Sequence, residues 1–206
     1  QSARTTREGR EVLREITKDK YEPAVPCPKS DLAGKLMQVA RLVKSNVGLE
    51  VAEVDLGGWD THNNQGSATG AQANLIGQVG EALAAFAGDL GDKMDDVVLV
   101  TMTDFGRTAA ENGTAGTDHG WANCMLLMGG GVQRANKVAT SAGKPRKVYA
   151  NWPGLAEDQL HQKRDLLHTT DFRDVLGELV ATHLGNPNIQ RVLPQHDFKS
   201  LGLVTA

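Results

Sequence analysis

Three short stretches of the chain set carboxylates and imidazoles close together. "GGWDTHNNQG" (57–66) presents Asp60 and His62, "TMTDFGR" (101–107) presents Asp104 and Arg107, and "TDHG" (117–120) presents Asp118 beside His119. Carboxylate oxygens with imidazole nitrogens form the ligand set of Zn²⁺, Mn²⁺ or Fe²⁺, whereas an all-oxygen set would indicate Mg²⁺ or Ca²⁺. A divalent metal site follows as the leading chemistry, with Asp60, His62, Asp104, Asp118 and His119 as candidate ligands and Zn²⁺ or Mn²⁺ as the metal. Arg107 adds a cation that can neutralise charge on a transferred group. Each stretch also has a bland reading. Asp60 could cap a turn beside a solvated His62, Asp104 could close an Asx-turn, Arg107 could pair with Glu111, and Asp118-His119 could be a loop dipeptide between Gly116 and Gly120. The coincidence of three such clusters at expected strand ends favours the metal.

The elements that must position these residues read as α/β. Residues 4–21 are charged and helix-compatible, and "EPAVPCP" (22–28) breaks them with prolines that lack backbone donors. Ser30 or Asp31 caps a second helix with Leu32, Leu36, Val39 and Val43 on its apolar face, ending near 46–48. "LEVAEVDLG" (49–57) alternates like a strand that stops at Gly57 and Gly58. Leu75, Val79, Leu83, Phe86 and Leu90 then recur at helical spacing over 71–90.

The continuous apolar run 97–102 reads as a strand buried on both faces, and strand, helix, strand as a βαβ unit. A third strand is expected around 124–128, a surface excursion over 143–154 returning as a short strand or hairpin near Val148, and a helix capped by Thr170 or Asp171 and stopped by Gly185. The expected fold is a mostly parallel sheet flanked by helices, with chemistry at the carboxyl ends of its strands. Residues 1–28 form a helical segment and linker, and 29–206 the α/β domain.

Composition narrows the function. A net charge of −3 over 206 residues, with basic residues scattered among acids, argues against a nucleic-acid partner. No apolar run approaches the roughly 20 residues of a membrane span. Cys27 and Cys124 make no CxxC site, and a single bridge between them would need an oxidising compartment. His161, His183 and His196 read as surface or partly buried residues and His168 is ambiguous. Trp59, Trp121 and Trp152 read as loop-packing residues.

In order, "GGWDTHNNQ", "TMTDFGRTAAENGTAGTDHGWAN", "GGGV", "WPGL" and "RDLLHTTDFRDVLGELVATHLG" resemble the C-terminal half of a bacterial family called domain of unknown function 1501, from roughly residue 32 to 193. That family is related to the alkaline phosphatase and sulfatase superfamily, which implies an alkaline phosphatase-like α/β fold with a metal site at its strand ends. In the superfamily's phosphomutase branch an Asp and a His precede a helix, and Asp60 and His62 match them. Asp104 matches the Asp of a later Asp-His-Gly, Phe105 stands at the next ligand position, and His119 matches a later His.

The resemblance thus implies one metal held by Asp60, His62 and His119, with Asp104 near a second, weaker position and Asp118 as compensation. It further implies that the nucleophile lies in an N-terminal segment outside these residues, so that the chain is a C-terminal portion of an exported protein, periplasmic or extracellular. The expected activity is metal-dependent hydrolysis of phosphate or sulfate esters, on a small molecule or a polymer. The alternatives are a non-catalytic exported binding or assembly module, and a structural domain whose clusters merely cap loops.

Overall fold

A computed structural model describes residues 2–132 and 148–205, so the excursion expected over 143–154 lies partly outside them, and Val148 is in no strand. The chain divides into two compact units, residues 1–60 with 67–93, and residues 61–66 with 94–206.

The first unit is helical: α1 (Ser2–Thr17), α2 (Asp31–Lys44) and α3 (Ala71–Leu90). The Ser30 hydroxyl accepts the Ala33 N–H at 3.2 Å and starts α2. The α2 core face is Leu32, Ala33, Leu36, Met37 and Ala40; that of α3 is Ala82, Ala85, Phe86 and Leu90. Small residues between the large ones let the two helices pack closely. Burying Phe86 and the leucines contributes about 1.5–3 kcal/mol each.

Asp89 is also buried there. Its carboxylate accepts from Tyr21 at 2.5 Å, from the Ala24 N–H at 2.7 Å and from Lys44 at 2.6 Å. Burial works against the charge, but the bonds from Lys44, Tyr21 and Ala24 outweigh it and hold the Asp89 carboxyl below its ordinary value. Arg41 donates to the Ile16 carbonyl in the last turn of α1 and to the Asp19 carbonyl at 2.6 Å, placing a cation where helix carbonyls lack partners.

Among the described residues, the strands lie in the second unit: β1 (Val98–Val100), β2 (Gly106–Arg107), β3 (His119–Gly120) and β4 (Leu127–Gly129). β1 pairs antiparallel with β4, Leu99 opposite Met128, and β2 pairs antiparallel with β3, Arg107 opposite His119. The expected parallel sheet is therefore overturned, and with it the alkaline phosphatase-like α/β fold: the described residues contain two small antiparallel pairs and no large parallel sheet. Residues 49–57 form no strand, and Val51 is 70% exposed. Their alternation suits an extended backbone, but a strand also needs a partner ladder, and none among the described residues pairs with them. The apolar run 97–102 is half-buried at β1, because a short antiparallel pair shows the same composition as an inner parallel strand.

Helix α4 (Phe172–Glu178) starts at Asp171, whose carboxylate accepts the Arg173 N–H at 2.9 Å. It continues into a π-helical turn, Leu179–His183, and stops at Gly185, whose φ of 62° is easiest for glycine. A short helix α5 (Ile189–Val192) follows. The Glu178 side chain is 1% exposed and accepts the backbone N–H groups of Leu201, Gly202, Leu203 and Val204, together with the Ser200 hydroxyl. Asp174 accepts from the Lys199 N–H and pairs with the buried His196 at 2.7 Å. Two carboxylates on one helix thereby fasten residues 196–204.

Candidate metal centre

Residues 61–66 are the one piece of the chain before Met94 that belongs to the second unit. They are held by the loop between β2 and β3. Asn64 and Gln65 donate their N–H groups to the carbonyls of Thr114 and Ala115 at 3.0 and 2.8 Å. Gln65 Oε1 accepts the hydroxyls of Thr61 and Thr117 at 3.0 and 2.7 Å. The Thr114 hydroxyl and the Asn112 amide both donate to the His62 carbonyl, at 2.7 and 3.0 Å.

The backbones approach so closely that a Cβ at Gly116 would collide with the His62 carbonyl, and one at Gly120 with the Arg107 backbone. Glycine is required at both positions by proximity, and not by an unusual φ.

Asn112 organises this loop. Its Oδ1 accepts the N–H groups of Thr114 and Gly116 at 2.9 and 3.1 Å, and its amide also donates to Asp118 Oδ1 at 3.0 Å. The same Asp118 oxygen receives His62 Nδ1 at 2.9 Å. The bond from Asn112, followed by that from His62, holds the exposed Asp118 carboxyl below the ordinary carboxylate range, so it is an anion across the neutral pH region.

His119 enters from β3. Its ring stacks on Phe105 at 4.2 Å with 11° between planes, and lies 5.0 Å from the His62 ring. The Arg107 guanidinium covers Phe105 at 5.0 Å from its centroid. It also donates to the Thr117 carbonyl at 2.5 Å and the Thr61 hydroxyl at 3.3 Å.

Asp60 immediately precedes this segment, so the peptide link to Thr61 carries its carboxylate beside His62. One donor atom each from Asp60, His62 and His119 falls within 4.8 Å of the others. Of the six residues expected at the site, these three come together. Asp118 stands behind His62, Arg107 is built into the loop lacing, and Asp104 is exposed and outside the group. What gathers them is the lacing of one loop over another, not the edge of a parallel sheet.

Asn112 carries no signal at the level of sequence, because an Asn in "AENGTAG" reads as an ordinary turn residue. A second missed grouping surrounds Trp121, whose indole stacks on His161 at 4.7 Å and donates to His168 Nδ1 at 2.6 Å. Both cysteines are free and exposed, and no helix among the described residues is long and apolar enough to cross a membrane.

The family described as "Protein of unknown function (DUF1501)" matches residues 3–192. The chain belongs to that family. No curated protein matches it, and no solved structure does. The match begins well before residue 32, so α1 and the proline-containing segment after it belong to the family's pattern as much as the laced loops do.

Proposed function

We propose that Asp60, His62 and His119 hold a divalent cation, Zn²⁺ or Mn²⁺, and that the site serves hydrolysis of phosphate or sulfate esters. The observation that carries this reading is the convergence of one carboxylate and two imidazoles within 4.8 Å. Two nitrogens and one oxygen suit these metals and leave coordination positions for water or substrate. With bonds of about 2.0–2.1 Å, bound donors stand roughly 3 Å apart, so the side chains close slightly on binding. Exposure of Asp60 and His119 permits that movement.

A cation held there supplies Lewis-acid polarisation of an ester oxygen and a lower pKa for an attacking water. Arg107, immobilised by Thr117, Thr61 and Phe105, acts as a fixed positive charge that needs no reorganisation as charge develops. Phe105 backs His119 and narrows the ring's orientation. The ester class comes from the motif resemblance to phosphatases and sulfatases and owes nothing to the fold. A second reading, a metal-binding module without turnover, is favoured by one observation: Phe105, an apolar residue stacked on the His119 ring, stands where the resembled Asp-His-Gly motif carries a ligand.

Metal analysis of the purified protein, alone and with His62→Ala and His119→Ala, tests the site. One equivalent in the parent and none in either variant is expected; no stoichiometric metal in the parent ends the proposal. Turnover of an aryl phosphate or aryl sulfate, lost in Asp60→Ala, separates hydrolase from binding module.

A further inference from the structure

We infer that Asp118 is not a metal ligand but the positioning residue of the centre, orienting His62 through Nδ1 so that Nε2 is the nitrogen offered to the metal. This rests on the metal reading proposed above. Asp118 Oδ1 lies 2.9 Å from His62 Nδ1, and Asp118 is absent from the group whose donor atoms converge. A ligating imidazole commonly gives its other N–H to a carboxylate, which fixes the tautomer and the ring plane and raises the basicity of the coordinating nitrogen.

Asp118 is itself held. Its backbone carbonyl accepts the Thr108 N–H at 3.1 Å, and Asn112 donates to the same Oδ1 that faces His62. Asn112 additionally donates to the His62 carbonyl. One amide therefore spans both the main chain of His62 and the carboxylate behind its ring. The ring is fixed at its backbone and at Nδ1 together, which is what a preorganised ligand requires.

The two bonds to a single oxygen make the proposal testable by a conservative change. In Asp118→Asn the amide oxygen can accept from both His62 and Asn112, and a flipped amide is disfavoured because its NH₂ would face the Asn112 NH₂. An orienting role therefore survives Asp118→Asn and fails in Asp118→Ala, whereas a ligating role fails in both.

Zinc affinity measured by competition with a chromophoric chelator should fall about 10–100-fold in Asp118→Ala and stay within about threefold of the parent in Asp118→Asn. Long-range ¹⁵N–¹H spectra of the metal-free protein, with neutral rings and His62 assigned by its loss in His62→Ala, supply a readout independent of metal. They should show the Nδ1–H tautomer in the parent and in Asp118→Asn, and a shift toward Nε2–H in Asp118→Ala. Equal zinc losses in both variants would make Asp118 a ligand and overturn the inference, as would a tautomer indifferent to Asp118→Ala, whether or not zinc binds. A parent that binds no zinc while its His62 tautomer still depends on Asp118 sinks the metal reading and leaves the orientation supported.

Discussion

Glu178 and Asp118 are both carboxylates of the second unit that gather donors from distant stretches of chain, yet they are placed in opposite ways. Glu178 is 1% exposed and accepts four backbone N–H groups and a hydroxyl; the Asp118 side chain is 58% exposed and its two bonds, from His62 and Asn112, converge on one oxygen. A buried carboxylate surrounded by main-chain donors is a fastening, because its own charge, closed off from water, is tolerable only while those donors hold it. An exposed carboxylate aimed at an imidazole, in a loop that brings a second imidazole and another carboxylate close, holds one ring in place, the role proposed above for Asp118. The same residue chemistry makes architecture in one place and a candidate site in the other, and burial separates the two.

The largest expected effect of breaking this comparison is at the fastening. Glu178→Ala removes the shared acceptor of four backbone N–H groups, the buried one of Val204 among them, and leaves a cavity where a fully buried side chain stood. It should destabilise the protein by about 3–5 kcal/mol, read from urea unfolding, without altering zinc stoichiometry at temperatures where the variant is still folded. Glu178→Gln, which keeps one acceptor, should cost less. At the laced loops, Gly116→Ala forces a Cβ against the His62 carbonyl. A cost of about 1–3 kcal/mol is expected from overpacking, and here zinc affinity should fall with stability because the shifted loop carries Asn112 and Asp118.

A third carboxylate, Asp171, lies between the extremes, and its pairing with Arg173 lowers its pKa to about 2. A depressed folded-state value means that this pair stabilises above the ordinary carboxylate range and that the contribution is lost as pH falls toward 2. With both partners partly exposed, about 1 kcal/mol is expected after screening. The stability gap between parent and Asp171→Asn should be constant above about pH 5 and close on acidification. The smallest effect on stability is at Asp118→Asn, where thermal unfolding should be indistinguishable from the parent, since an exposed amide replaces an exposed carboxylate.

What could be read from the sequence follows the range of the interactions involved. Helix α3 runs over 71–90 as its periodicity indicates, and α2 starts at its Ser30 cap, because propensity, capping and amphipathicity are all local. The strand expected at 49–57 is absent and no large parallel sheet occurs among the described residues, because a ladder depends on a partner far along the chain and alternation records only the backbone it would suit. Asp60, His62 and His119 stand out by residue type, since few other groups bind metals. Asn112 and Glu178 do not stand out at all. An Asn in a glycine-rich loop and a Glu in a helix are commonplace, and only the approach of residues 61–66 to one and 200–204 to the other gives them a role.

Equilibrium dialysis against zinc, comparing the parent with His119→Ala, tests the central claim most directly. One equivalent bound by the parent and none by a folded His119→Ala is the predicted result. A parent that returns without zinc, or a His119→Ala variant that binds as the parent does, would contradict it.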